Sequence, residues 1–69
     1  MQVGDRVKLK SLPEYVKTAD PMPMLRSPSV LTLEETGTIT SRRPGGYWVV
    51  KFTAGSFLLD NQYLEVVEK

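Results

Sequence analysis

The sequence predicts a small all-β domain, and two observations support this fold class. Short segments rich in aromatic and β-branched residues alternate with clusters of Gly, Pro, Asn and Asp along the 69 residues. The clearest segment, Tyr47–Phe52, alternates in the way that a half-buried strand requires. Lys51 identifies its solvent face, because an unpaired charge is costly in a core. The alternation predicts that Trp48, Val50 and Phe52 point inward and that Tyr47, Val49 and Lys51 point outward.

Five short strands are predicted in all, at residues 3–10, 37–41, 47–52, 56–59 and 63–67. Residues 60–62 suit one turn of 3₁₀ helix before the last strand. This order of strand, long loop, three strands joined by tight turns, helical turn and strand is typical of an SH3-like barrel. The remaining inward positions are predicted at Val7, Leu9, Ile39, Leu64 and Val66, with Tyr63, Glu65 and Val67 facing outward.

Residues 11–33 differ from the rest of the chain because they contain four of its five prolines. Proline removes a backbone donor and restricts the residue before it, which makes a helix or a central strand improbable there. The apolar residues of this segment do not suit a solvated linker. The sequence therefore predicts one SH3-like domain over residues 1–69, with residues 11–33 forming a long ordered loop that folds back over the barrel.

Composition argues against catalysis. The chain has no His and no Cys, so it lacks the commonest general base and the commonest metal ligands. Its formal net charge is +1, which is small for a nucleic-acid module. No apolar run reaches the length of about 18 residues that a membrane span needs. We therefore expect a cytoplasmic monomer that is not an enzyme, binds no metal or cofactor and does not insert into membranes, and the charge balance argues against a nucleic-acid partner.

A protein-binding surface is the remaining candidate site. Methionine adapts well to irregular surfaces, arginine binds anionic groups, and exposed tyrosine is common in interface hot spots. The apolar groups of the loop could instead cap the open end of the barrel, since so small a core needs cover. The predicted partner-binding residues are Tyr15, Lys17, Met22, Met24, Leu25, Arg26, Arg42, Arg43 and Tyr47.

Three segments, residues 12–26, 42–52 and 57–65, resemble the SipA family of small cyanobacterial regulators, and the opening at residues 3–7 extends the likeness. The resemblance implies a non-enzymatic SH3-like protein that binds a sensor histidine kinase, NblS, at its ATP-binding catalytic region. It also implies that binding stimulates autophosphorylation in two-component stress signalling. The expected partner is therefore a histidine kinase in a photosynthetic host.

Two other functions remain open. A nucleic-acid or ribosome-associated barrel would track phosphates with a basic stripe, although the near-neutral charge balance argues against it. An accessory subunit of a photosynthetic complex is the other alternative. The candidate stripe consists of Lys8, Lys10, Arg42, Arg43 and Lys51.

Overall fold

The computed structural model describes residues 1–19 and 25–68 and confirms a small all-β protein. Two single-turn 3₁₀ helices accompany the strands, at Pro28–Val30 and Asn61–Tyr63. No helix in the described residues is long and apolar enough to cross a membrane. The strands are β1 (Arg6–Leu9), β2 (Val16–Thr18), β3 (Leu25–Arg26), β4 (Thr36–Arg43), β5 (Tyr47–Phe52), β6 (Gly55–Asp60) and β7 (Leu64–Glu68).

All seven strands belong to one antiparallel sheet in the order β3-β2-β6-β5-β4-β1-β7. The predicted count of five strands is therefore wrong. Strands β3 and β7 are the two edges, and among the described residues they do not pair with each other. The sheet is open by its hydrogen bonding, so the closed barrel of the prediction is not observed as such.

The sheet is strongly curled, and its concave side encloses the core. Val16 of β2 and Leu64 of β7 belong to the same buried cluster. These strands are five positions apart in the sheet order, which would separate them by about 24 Å if the sheet were flat. They can share one cluster only because the sheet coils over itself. The curl therefore lets one face of a small sheet bury a continuous core.

Strand alternation predicts the core well. Val7, Leu9 and Val50 have no exposed surface, and the predicted inward positions of β4, β5 and β7 either are buried or pack against the cluster. Two positions depart from the prediction. Val49 is buried although it lies outside the core cluster, opposite Leu58 of β6 on the outer face. Tyr63, predicted to face outward, is partly buried and packs against the core.

The prediction that residues 11–33 form one long loop is wrong. They contain β2, β3 and the first 3₁₀ helix, and β2 lies inside the sheet between β3 and β6. Strand β2 contains no proline, and Pro28 occupies the first position of its 3₁₀ helix, where a missing N–H costs little. Val16, Thr18 and Leu31 are buried, so this segment contributes to the core. The single domain over residues 1–69 stays a prediction.

Lys8 of β1 forms ion pairs with two other parts of the fold, the turn before β4 and strand β7. Its Nζ lies 3.3 Å from a carboxylate oxygen of Glu34, in the turn before β4, and 3.4 Å from one of Glu65 on β7. The hydrogen bond to Glu34 and the charge of Glu34, followed by the same effects of Glu65, raise the pKa of Lys8 above its ordinary value. The lysine therefore stays charged at any physiological pH. Because the group is solvated, its two ion pairs add little to the free energy of unfolding.

Candidate partner-binding site

An open groove of about 720 Å³ lies on the outer side of the curled sheet. The residues before β2 and the first residue of β3 form one wall, and the turn between β4 and β5 forms the other. The end of β6 and the second 3₁₀ helix form the floor. Its lining consists of Pro13, Glu14, Tyr15, Lys17, Leu25, Arg43, Pro44, Tyr47, Leu58, Leu59, Asp60 and Tyr63.

Strand register arranges the groove in two rows. Tyr47 of β5 pairs with Arg43 of β4 on one side and with Asp60 of β6 on the other. Two residues further along the strands, Leu58 of β6 pairs with Lys17 of β2, which in turn pairs with Leu25 of β3. Neighbouring strands are about 4.8 Å apart. The first row is therefore aromatic and charged, and the second is mainly aliphatic.

Two local features of the sequence build this geometry. Gly45 and Gly46 have φ values of +84° and +83°, which glycine adopts without steric cost, and they let the chain reverse so that Arg43 lies opposite Tyr47. At the other end, Asp60 caps the second 3₁₀ helix, because its Oδ1 accepts a hydrogen bond from the backbone N–H of Gln62 at 3.3 Å. This capping hydrogen bond stabilises the helical turn that ends at Tyr63 and positions Tyr63 in the lining of the groove.

The groove exposes large apolar side chains beside free charges. Tyr15, Leu25 and Tyr47 retain 58%, 64% and 46% of their surface. Within residues 1–19 and 25–68, neither Lys17 nor Arg43 forms an ion pair. Exposed aromatic rings next to arginine are typical of surfaces that bind another protein. The groove therefore has the composition of a protein-binding surface.

The structure brings together five of the nine predicted partner-binding residues. These five come from four separate stretches of chain and all line the groove: Tyr15, Lys17, Leu25, Arg43 and Tyr47. The backbone of Arg26 pairs with Val16 in the hairpin of β2 and β3. Met22 and Met24 lie outside the described residues. That all nine bind a partner stays a prediction.

Sequence reasoning missed several lining residues. Tyr63 is the most prominent, because the 3₁₀ turn that precedes β7 was predicted one residue too early and Tyr63 was assigned to the strand. Glu14 and Asp60 also line the groove, although neither is among the predicted partner-binding residues. Their spacing along the sequence gives no signal, because only the pairing of β2, β5 and β6 brings them to one surface.

Arg42 has a different role from Arg43, because consecutive residues of a strand point to opposite faces. Its guanidinium carbon lies 5.4 Å from the ring centroid of Trp48, its partner in the neighbouring strand. Trp48 is 9% exposed, and the guanidinium lies against its ring from the exposed side chain of Arg42. Arg42 therefore stabilises the ring and does not line the groove.

Replacing Arg42 by alanine is expected to shift the fluorescence emission of Trp48 to longer wavelength, because water reaches the uncovered ring. The lost cation–π contact lowers the free energy of unfolding by about 0.5–1 kcal/mol. Trp48 is the only tryptophan, so both effects are read from one signal during urea unfolding. The matched variant Arg43→Ala leaves the emission unchanged. An equal shift in both variants would contradict the assignment.

Other kinds of site find less support. In the part of the chain that the structure describes, no three Asp or Glu side chains group in a way that could hold a metal ion. The proposed nucleic-acid stripe is interrupted, since Lys8 is engaged by two glutamates and Arg42 lies over Trp48. The groove is therefore the candidate functional site.

Comparison with known proteins gives consistent results. The model of the family described as "Protein CHLORORESPIRATORY REDUCTION 42-like" matches residues 3–64. The chain is also similar to Protein CHLORORESPIRATORY REDUCTION 42, chloroplastic, from Arabidopsis thaliana, with 38% identity over 69 residues. That alignment covers 99% of this chain and 57% of the relative, so the chain spans a little over half of the relative's length. No solved structure matches.

These matches overturn the identification with the SipA family. The predicted partner, a sensor histidine kinase, and the predicted role in two-component stress signalling rested on that resemblance and are wrong with it. The expectation of a cytoplasmic location is wrong as well, because the curated relative is chloroplastic. The segments at 12–26 and 42–52 lie within the matched residues 3–64, so they are features of a different family.

Proposed function

This chain belongs to the Protein CHLORORESPIRATORY REDUCTION 42-like family, and on that ground we propose that it is a non-enzymatic accessory protein of a photosynthetic complex. The family match over residues 3–64 carries the proposal. The relative's name connects that protein with chlororespiration and with the chloroplast. The present chain accordingly acts in the compartment that holds the photosynthetic complexes, and its partner is a protein of such a complex.

The groove provides the means of binding. Tyr15, Tyr47 and Leu25 offer exposed apolar surface, while Lys17 and Arg43 offer charges without ion pairs among the described residues. Contact with a partner would bury the rings and pair the charges, which is how hot spots and electrostatic specificity arise. The protein therefore acts by presenting a shaped surface, and it stabilises the partner that fills the groove.

The finer fold assignment is part of this proposal. The curl that brings β2 and β7 into one core, together with the hairpins of β4, β5 and β6 and the 3₁₀ turn before β7, supports an SH3-like arrangement. In that arrangement the hairpin of β2 and β3 corresponds to the long first loop of the barrel. The groove then lies between this hairpin and the turn that joins β4 to β5.

The proposal predicts that the tagged chain, expressed in its photosynthetic host, migrates with a photosynthetic complex on native gels and retains subunits of it by affinity capture. Arg43→Glu or Tyr15→Ala is expected to reduce the captured amount at least about tenfold, because each removes a contact in the groove. Mass spectrometry of the captured proteins and of the native band measures both results.

Lys51→Glu is the matched control for charge reversal, because Lys51 is exposed and does not line the groove. It should capture the complex as the natural chain does. Capture of the complex by both groove variants at the natural level would reject the groove as the docking surface. Migration of the chain away from every photosynthetic complex would reject the proposed function.

A further inference from the structure

We infer that two copies of this chain associate through their grooves, about a two-fold axis that runs along β5 and passes Tyr47. The inference goes beyond the proposed function and rests on it for one consequence only, namely that the dimer conceals the surface that binds the photosynthetic complex. It follows from the order of Arg43, Tyr47 and Asp60 across three neighbouring strands. It replaces the monomer expected from the sequence.

Three groove residues form a row in which an exposed ring lies between two opposite charges. Arg43 of β4 and Asp60 of β6 are the strand partners of Tyr47 on its two sides. Residues directly opposite each other in an antiparallel pair project to the same face, and all three line the groove. Neighbouring strands are about 4.8 Å apart, so the two charged residues are equally far from Tyr47. The row is therefore symmetric in position about Tyr47 and opposite in charge.

Such a row is complementary to a second copy of itself. The two-fold axis lies between the two facing sheets, so the rotation leaves Tyr47 facing Tyr47 and exchanges the β4 side with the β6 side. Arg43 of each copy then faces Asp60 of the other copy, and two ion pairs flank two packed tyrosine rings. An interface of this kind uses one surface patch twice. Packed aromatic rings and opposite charges both favour the contact.

The three side chains are available for these contacts. Tyr47 is 46% exposed, and neither Arg43 nor Asp60 forms an ion pair among the described residues. One carboxylate oxygen of Asp60 accepts a hydrogen bond from the backbone N–H of Gln62, which orients the side chain. In the part of the chain that the structure describes, its other oxygen accepts no hydrogen bond. The carboxylate is therefore both oriented and open to a guanidinium.

The charge balance favours a second copy over a partner of one sign. An acidic segment in the groove would pair with Arg43 but would face Asp60, and a basic segment would do the reverse. A second copy pairs both residues at once. The four charged residues of the lining are two acidic and two basic, and the whole chain carries a net charge of +1. Two copies therefore approach each other with little repulsion.

The same rotation suits the shape of the groove. The turn between β4 and β5 is one wall, and it lies on the side of β5 that exchanges with the floor formed by β6 and the second 3₁₀ helix. The turn of each copy therefore enters the groove of the other, with Pro44 over its floor. Both grooves are filled together, so only the separated chain can bind the complex.

Sedimentation equilibrium of the purified chain, over concentrations of about 1 to 500 µM, tests the association. We expect reversible formation of a dimer with a micromolar dissociation constant, because the patch is small. Arg43→Asp and Asp60→Arg should each weaken it at least about tenfold, since two like-charge contacts replace two ion pairs. Tyr47→Ala should weaken it at least about fivefold. Lys51→Glu is the matched control, because it gives the net charge of Arg43→Asp outside the groove.

A mixture of the two charge variants gives the decisive measurement. When one Arg43→Asp chain meets one Asp60→Arg chain, opposite charges face each other at both places. The mixture should therefore associate at least about tenfold more tightly than either variant alone. Circular dichroism confirms that the variants are folded. If Asp60→Arg does not fold, Asp60→Asn still accepts from the N–H of Gln62 and should weaken self-association at least about threefold.

Four results would each overturn the inference. They are a single chain at the highest concentration, undiminished association of Arg43→Asp, equal weakening by Lys51→Glu, and a mixture of folded charge variants that associates no more tightly than its components. A dimer that forms through another surface would be recognised by the second result. Capture of the photosynthetic complex is measured separately in the host, so the proposed function and the dimer can fail independently.

Discussion

Gly37→Ala is expected to lower the free energy of unfolding by more than about 2 kcal/mol, a large part of the stability of so small a protein. A Cβ at Gly37 would lie 2.8 Å from the backbone oxygen of Lys51, 2.8 Å from Cγ1 of Val50 and 2.9 Å from Cδ1 of Phe52. Contacts below 3.0 Å force β4 and β5 apart, and the backbone oxygen cannot move without breaking the sheet. Urea unfolding followed by Trp48 fluorescence measures the change.

Thr36→Ala is the matched control, because Thr36 precedes Gly37 in the same strand and is exposed. Its replacement should change the free energy of unfolding by no more than about 0.5 kcal/mol. If both variants unfold at the urea concentration of the natural chain, the close approach of β4 and β5 at Gly37 is wrong. A chain too unstable to purify with Gly37→Ala, beside a normal Thr36→Ala, agrees with the prediction.

Leu9→Ala is expected to cost about 2–5 kcal/mol, through lost burial and the cavity that remains. Leu9 has no exposed surface, and it belongs to the cluster that the two ends of the sheet share. Its backbone is fixed as well, because its N–H donates to the oxygen of Glu35 and its oxygen accepts from the N–H of Glu34. The surroundings therefore cannot collapse easily into the space.

The comparison for Leu9 is Leu12→Ala, three residues further along the chain. Leu12 is 43% exposed, so its truncation should change the free energy of unfolding by about 0.5 kcal/mol or less. Thermal and urea unfolding of the two variants, measured side by side, gives the difference directly. A difference of less than about 1 kcal/mol would show that Leu9 is not central to the core.

The sequence predicted those parts of the fold that depend on local alternation. Val7 and Leu9 in β1, Ile39 in β4, and Trp48 and Phe52 in β5 are buried as their spacing requires. It could not predict β2, because three residues are too few to show a period of two. The partner of β2 is β6, about 40 residues away, and only that distant pairing makes Val16 part of the core.

The sequence predicted which types of residue form the binding surface, but it predicted less well how these residues are arranged in space. Exposed tyrosines and arginines beside turns indicated a binding surface, and Tyr15, Arg43 and Tyr47 do line one groove. Grouping Arg42 with Arg43 ignored the alternation of a strand, which turns Arg42 toward Trp48. Tyr63 could not be placed, because a shift of one residue in a single-turn helix decides whether its ring faces the groove.

The pairing of β1 with β7 has a practical consequence for attaching other domains. Arg6 lies opposite Glu68, so the first and last strands bring both ends of the described chain to the same place. From Tyr63 in the groove to Glu68, β7 runs for five residues, about 17 Å. Affinity tags, surface anchors or fused proteins attached at either end would therefore lie well away from Tyr15 and Tyr47. A chain immobilised through one of its ends should keep the groove accessible.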